Sequence, residues 1–165
     1  MSNTISAEST EPYLIEGKRF IDDRGSVSFV NNLDFSKAGI KRFYTIDHDR
    51  HMIRAFHGHK NESKYAIVTK GTFRIILRKM VVSIVDSDNL THESPQIEFE
   101  EFILSGDQPK MLFIPKMYYN GFQNLTEKGS ITFYSTSTLK ESEGDDYRSR
   151  WDTCDEETWS LKKYR

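Results

Sequence analysis

Ten short apolar or alternating runs, separated by recurring turn signals, restrict this chain to an antiparallel β architecture. They are Tyr13 to Ile15, Val27 to Val30, Lys41 to Asp47, Arg54 to His57, Tyr65 to Thr69, Phe73 to Leu77, Gln96 to Leu104, Lys110 to Ile114, Gly121 to Asn124 and Ser130 to Ser137. The turn signals are Asp23-Arg24-Gly25, Lys37-Ala38-Gly39, Gly71, Ser105-Gly106-Asp107 and Glu127-Lys128-Gly129. Strands this short and this regular imply a sandwich or a barrel. The 11 Phe and 8 Tyr agree, because aromatic side chains suit a pleated, half-buried surface. Helical patterning is confined to a short C-terminal candidate, Asp155 to Lys163, acidic at its start and basic at its end as the helix dipole favours. Val81 to Pro95 reads as a strand end followed by a polar loop. A length of 165 residues suits a single domain spanning 1–165, with residues 1–11 expected to be a mobile tail.

The charge balance excludes several function classes. A formal net charge of -2 advertises neither a nucleic-acid nor a membrane surface. Met1 to Glu11 is polar, without the apolar core of a signal peptide or a membrane span. Cys154, the single cysteine, cannot form an internal disulfide, so a reducing cytoplasm is the expected location.

The stretch from Arg54 to Gly71 concentrates the chemistry. His57 and His59 are one residue apart, which on a strand puts both side chains on the same face. His51 and His92, by contrast, read as surface or structural histidines. A His-x-His pair on a barrel strand resembles the opening of the cupin metal signature. The positions of two further metal ligands in that signature fall here on Lys64 and Asn120. A lysine ammonium has no lone pair and repels a divalent cation. The scaffold resemblance therefore stands, and neither a metal nor any other cofactor is expected.

The rest of the chain resembles the cupin-fold enzymes that act on nucleotide-linked 4-keto-6-deoxy sugars. Phe20-Ile21-Asp22-Asp23-Arg24-Gly25 is similar to the Asp-x-Arg-Gly signature near their start. Ile40 to Tyr44 and Arg54-Ala55-Phe56-His57-Gly58-His59-Lys60 resemble the 3,4-ketoisomerase branch. Ile114 to Gln123 resembles the Ile-Pro-x-Gly-x-x-His-Gly-Phe segment of the dTDP-4-dehydrorhamnose 3,5-epimerases. Phe133 to Ser137 resembles the strand bearing that family's tyrosine acid, and Asp146-Tyr147-Arg148 with Trp151-Asp152 fits the closing segment of either branch. The resemblance runs from about Phe20 to Asp152. It implies an all-β cupin, a double-stranded β-helix or jelly-roll barrel, with a short C-terminal helix.

It also implies a chemistry. A ketone at carbon 4 acidifies the hydrogens on carbons 3 and 5, so an epimerase needs a base, a partner for the enolate oxygen, and an acid across the ring. His57 matches the base, Lys64 the positive partner of the keto oxygen and Tyr134 the acid. Arg24 and Arg54 are expected to hold the diphosphate or the sugar through forked hydrogen bonds. Phe20 and Tyr119 are expected to stack on the base or the sugar, with His59, Asn120 and Tyr44 lining the pocket. Asn120 stands where the epimerases carry a second histidine, Ala55 and Met117 replace glycines, and Asp152 or a residue from the other strand face is the candidate for orienting His57. The first reading is a homodimeric, metal-free epimerase acting at carbon 3, or at carbons 3 and 5, of a nucleotide-linked 4-keto-6-deoxyhexose for surface polysaccharide or natural-product synthesis. A 3,4-ketoisomerase, supported by His59 and Tyr44, and a non-catalytic sugar-binding cupin are the alternatives.

Overall fold

A computed structural model describes residues 9–80, 98–153 and 156–160. In chain order the strands are β1 (Tyr13–Glu16), β2 (Lys18–Asp22), β3 (Gly25–Phe29), β4 (Arg42–Asp49), β5 (Ile53–His59), β6 (Lys64–Lys70), β7 (Thr72–Lys79), β8 (Glu100–Ser105), β9 (Lys110–Ile114), β10 (Tyr118–Asn124) and β11 (Lys128–Ser135). Helix α1 (Leu139–Glu143), strand β12 (Tyr147–Arg148), a 3₁₀ turn at Trp151–Thr153 and helix α2 (Glu156–Trp159) follow. The strands form two five-stranded sheets, ordered β1-β9-β6-β11-β4 and β12-β5-β10-β7-β8, plus the separate hairpin β2-β3. Every described strand pairing is antiparallel. This is the expected all-β jelly-roll barrel.

Alternation along each strand sorts side chains between the barrel interior and its outer faces. Ala66 and Val68 of β6, Phe73, Ile75 and Leu77 of β7, and Ile131 and Phe133 of β11 meet in the core between the sheets. Phe133 stacks on Tyr44 at 5.4 Å and contacts Phe122 at 5.4 Å. Replacing it with alanine removes both ring contacts and opens a cavity; thermal or denaturant unfolding of Phe133→Ala is expected to show a loss of about 3–5 kcal/mol. The outer face of the first sheet is covered by a second cluster that includes Ile15, Tyr65, Met111 and Phe113, packed with Leu33 and Ile40 from the segment before β4. Phe56, Ile76 and Trp159 form a third cluster on the outer face of the second sheet.

Gly71 makes the β6–β7 turn with φ 76°, a left-handed conformation that glycine adopts without steric cost. Met117 adopts φ 68° where the resembling segment has glycine. Its backbone is locked there by hydrogen bonds from Met117 N to His59 O at 2.7 Å and from Met80 N to Met117 O at 2.8 Å.

The strand expectations hold closely, with three additions and one trim. β2 and β12 belong to no expected run, and α1 was not anticipated. The C-terminal helix is described only over Glu156–Trp159. Its Trp159 is buried against Phe56, ring centroids 5.7 Å apart. The expected loop Val81 to Pro95, with His92, and residues 1–8 of the tail lie outside the described residues, as does Cys154. His51 is exposed in the β4–β5 turn. No described helix is long and apolar enough to cross a membrane.

Candidate active site

An open cavity of about 290 Å³ lies between the two sheets. The second sheet contributes His57 and His59 from β5. The first contributes Arg42 and Tyr44 from β4 and Lys64 from β6, and α1 and the residue before β12 complete the rim with Leu139, Ser142, Glu143 and Asp146. Both histidines reach the same cavity, as their spacing requires.

His57 is the more accessible of the two, its side chain 40% exposed. Its Nδ1 lies 3.4 Å from Asp146 Oδ1. The backbone dictates this approach: β12 pairs with β5 in a register that sets Arg148 opposite His57 and Tyr147 opposite Gly58. Phe56 and Ser149 extend that pairing with reciprocal N–H···O bonds of 2.8 and 3.1 Å. Asp145 tightens it by accepting from the backbone N–H groups of Lys60 and Asn61 at 2.9 and 2.8 Å. Asp146 in turn accepts from Arg148 Nε at 3.1 Å. Burial raises the Asp146 carboxyl, but hydrogen bonds from Arg148 and His57 outweigh it and hold the group below the ordinary carboxylate range. An ionised Asp146 favours the proton on Nδ1 of His57 and leaves Nε2 as a lone pair for the cavity. Burial lowers the His57 pKa more than Asp146 raises it, so the ring is neutral at pH 7 and able to accept a proton.

The wall behind His57 is ionic. Lys64 Nζ stands 2.9 Å from His59 Nε2, with both residues buried. Glu62, whose side chain is fully buried, lies 3.3 Å from Lys64, 3.5 Å from Arg42 and 3.9 Å from His59 Nε2. Burial and the neighbouring Lys64 charge hold His59 below its usual pKa. Asn120 is buried and donates from Nδ2 to the backbone carbonyl of His57 at 2.9 Å, fastening β10 to the strand that carries the base. Among the described residues no group of three His, Cys, Asp or Glu side chains is placed to hold a metal ion.

The structure therefore brings His57, His59, Lys64 and Tyr44 together, with Asn120 adjoining. Five other expected residues lie elsewhere. Tyr134 follows inward-facing Phe133 on β11 and so projects to the outer face of the first sheet, where it packs against Phe35 at 5.1 Å and Phe43 at 5.9 Å. Tyr44, opposite Phe133 in the β4–β11 register, is the tyrosine that lines the cavity. Arg54 donates from Nε to His48 Nε2 at 2.9 Å; a register shift between Asn120 and Phe122 sets Ala55 and Phe56 of β5 against Gly121 alone of β10 and turns Arg54 toward His48, whose ring packs on Phe73 and Phe122. Tyr119 lies under the Arg78 guanidinium at 4.7 Å on the outer face of the second sheet. Arg24 is exposed at the tip of the β2-β3 hairpin, paired with Asp22 at 2.6 Å, and Phe20 is 63% exposed on the same hairpin. Asp152 is engaged by Arg150 at 2.6 Å, so Asp146, not Asp152, partners His57.

Sequence reasoning passed over Arg42, Glu62 and the rim helix. Helix α1 carried a readable signal. Thr138-x-x-Glu141 is a capping box, with the Glu141 N–H donating to Thr138 Oγ1 at 3.3 Å and the Thr138 N–H to Glu141 Oε2 at 2.7 Å. Those hydrogen bonds and Lys41 bring the Glu141 carboxyl down to about 2.

Comparison with solved structures finds the same barrel repeatedly. A dTDP-4-dehydrorhamnose 3,5-epimerase from Bacillus anthracis, solved with TDP and PPi, superposes with a TM-score of 0.66 at 19% identity, over 92% of this chain and 83% of that one. A sugar 3,4-ketoisomerase from Thermoanaerobacterium thermosaccharolyticum, solved with TDP, gives 0.60 at 21% identity over 85% and 89%. A 4-keto-6-deoxy sugar epimerase of novobiocin biosynthesis from Streptomyces spheroides gives 0.66 at 14% identity over 85% and 69%. At these identities the likeness establishes the fold. Comparison with curated proteins returns no match. The family model for dTDP-4-dehydrorhamnose 3,5-epimerase matches residues 7–155, nearly the whole length. This chain belongs to the dTDP-4-dehydrorhamnose 3,5-epimerase family.

Proposed function

We propose that this protein isomerises a dTDP-linked 4-keto-6-deoxyhexose through an enolate and epimerises it at carbon 3. The observation that carries the reading is the His57–Asp146 pair facing a cavity whose other wall holds Tyr44 and Lys64. His57 Nε2 removes the proton from carbon 3. The electron pair moves onto the carbon 4 oxygen, where the fixed charge of Lys64 lowers its energy. Tyr44, on the facing sheet, returns a proton to the opposite face of carbon 3, and solvent restores both groups to their starting protonation. This mechanism transfers the acid from Tyr134, which is on the wrong side of its strand, to Tyr44. The family match and the epimerases among the structural neighbours support the substrate class.

A 3,4-keto shift is the second reading, and the presence of both His59 and Tyr44 in the same cavity as His57 favours it. It uses the same enolate: a proton passes from the carbon 3 hydroxyl to the carbon 4 oxygen, the carbon 3 oxygen becomes the new carbonyl, and carbon 4 rather than carbon 3 takes up the returning proton. Proton NMR of the product separates the two. A ketone still at carbon 4 with an inverted carbon 3 supports epimerisation, and a ketone at carbon 3 supports the shift. No conversion of the dTDP sugar would remove both.

The exposed apolar residues Phe20, Ile21 and Val27 of the β2-β3 hairpin support a homodimer as the working form. A cytoplasmic enzyme requiring no metal is part of the same proposal.

The acid limb of the pH profile follows from His57. The base must be neutral, so kcat/KM falls as pH drops through its pKa, which burial places below the ordinary histidine value. Asp146→Asn removes the carboxylate that raises this pKa, so the limb is expected to move to still lower pH. Loss of the Nδ1–H anchor is expected to lower the plateau by at least about tenfold. A pH series of kcat/KM on both proteins measures the two effects together.

A further inference from the structure

Glu62 contacts no open part of the cavity, yet it is the carboxylate around which the cavity's cations are arranged. Its side chain is fully buried, with ion-pair distances of 3.3 Å to Lys64 and 3.5 Å to Arg42 and an approach of 3.9 Å to His59. Lys64 is itself 5% exposed. Two cations facing one cavity repel each other, and a buried ammonium left without an anion sheds its proton. The same ammonium stands 2.9 Å from His59 Nε2. A protonated lysine has only donors, so His59 Nε2 must accept and its proton must sit on Nδ1. The charges facing Lys64 are thus Glu62 from its own loop, Arg42 from β4 and His59 from β5, with the Tyr44 ring 5.8 Å away.

We propose that Glu62 is a positioning residue for the proposed isomerisation: it keeps Lys64 charged and aimed at the enolate oxygen, and through Lys64 it fixes His59 as the Nδ1–H tautomer. The inference rests on the enolate reading above and extends it to a residue that never touches substrate. Lys64 serves as the cation in that mechanism, and Glu62 is the buried anion paired with it at 3.3 Å.

Two measurements test this. The first needs no variant and no substrate. Long-range ¹H–¹⁵N correlation spectra of the wild-type protein at neutral pH are expected to show His59 as the Nδ1–H tautomer. An Nε2–H tautomer would overturn the proposal, whatever the activity. The second is Glu62→Gln, which preserves shape and removes charge. It is expected to lower kcat by about 10- to 100-fold with little change in KM. Wild-type kcat in a folded Glu62→Gln would contradict the proposal. Inactivity of the wild type itself would instead strike the enolate reading, leaving the His59 tautomer, compared between wild type and Glu62→Gln, to decide the role of Glu62: an Nδ1–H tautomer unchanged in the variant would contradict it.

Discussion

His57→Ala is expected to lower kcat/KM by about 10²–10⁴-fold, the usual contribution of a general base, while leaving the barrel folded. The ring is half-exposed and belongs to none of the three apolar clusters, so its removal opens no core cavity. Its backbone carbonyl stays bonded to Asn120, and the β5–β12 pairing does not depend on the imidazole. Circular dichroism and thermal unfolding of the variant should therefore match the wild type. Only a variant that keeps wild-type turnover would dissociate His57 from the chemistry. A coincident loss of fold would show that the histidine carries more structure than its contacts indicate.

Tyr44→Phe is the second large effect, and its value lies in the contrast with Tyr134→Phe. Removing the Tyr44 hydroxyl deletes the proposed acid and keeps the ring stacked on Phe133, so turnover should fall by about 10²–10⁴-fold with stability nearly unchanged. Tyr134 packs outside the first sheet against Phe35 and Phe43, so Tyr134→Phe should leave kcat/KM unchanged. Parallel kinetics on the two purified variants distinguish the assignments. The reverse pattern, with Tyr134 essential and Tyr44 dispensable, would return the acid to Tyr134 and require the first sheet's outer face to meet substrate.

That contrast also shows what was legible in the sequence. The strands were, because alternation and turn residues are local signals that the barrel respects. The pairing of His57 with His59 was, because a two-residue spacing on a strand leaves one geometry. Tyr134 was misplaced by one position of register: Phe133 takes the inward place, and a pleated strand then has no choice about its neighbour. Arg54 was placed by resemblance: its spacing of three from His57 sets it on the other face of a regular strand, and the bulge that turns it inward sends it to His48 rather than to the cavity. Asp146 was noted only as part of a motif, because its role depends on β12 pairing with β5, which brings it back to a residue 89 positions earlier in the chain. Glu62 lay in the loop between two recognised elements, and nothing local marks a buried carboxylate until Arg42 arrives from β4 and Lys64 from β6.

Deuterium incorporation tests the central claim, that His57 forms an enolate at carbon 3, most directly. A dTDP-4-keto-6-deoxyhexose incubated with the protein in deuterated water should gain deuterium at carbon 3 with the wild type and far more slowly with His57→Ala. Equal incorporation by the two proteins, or none with the wild type, would contradict it.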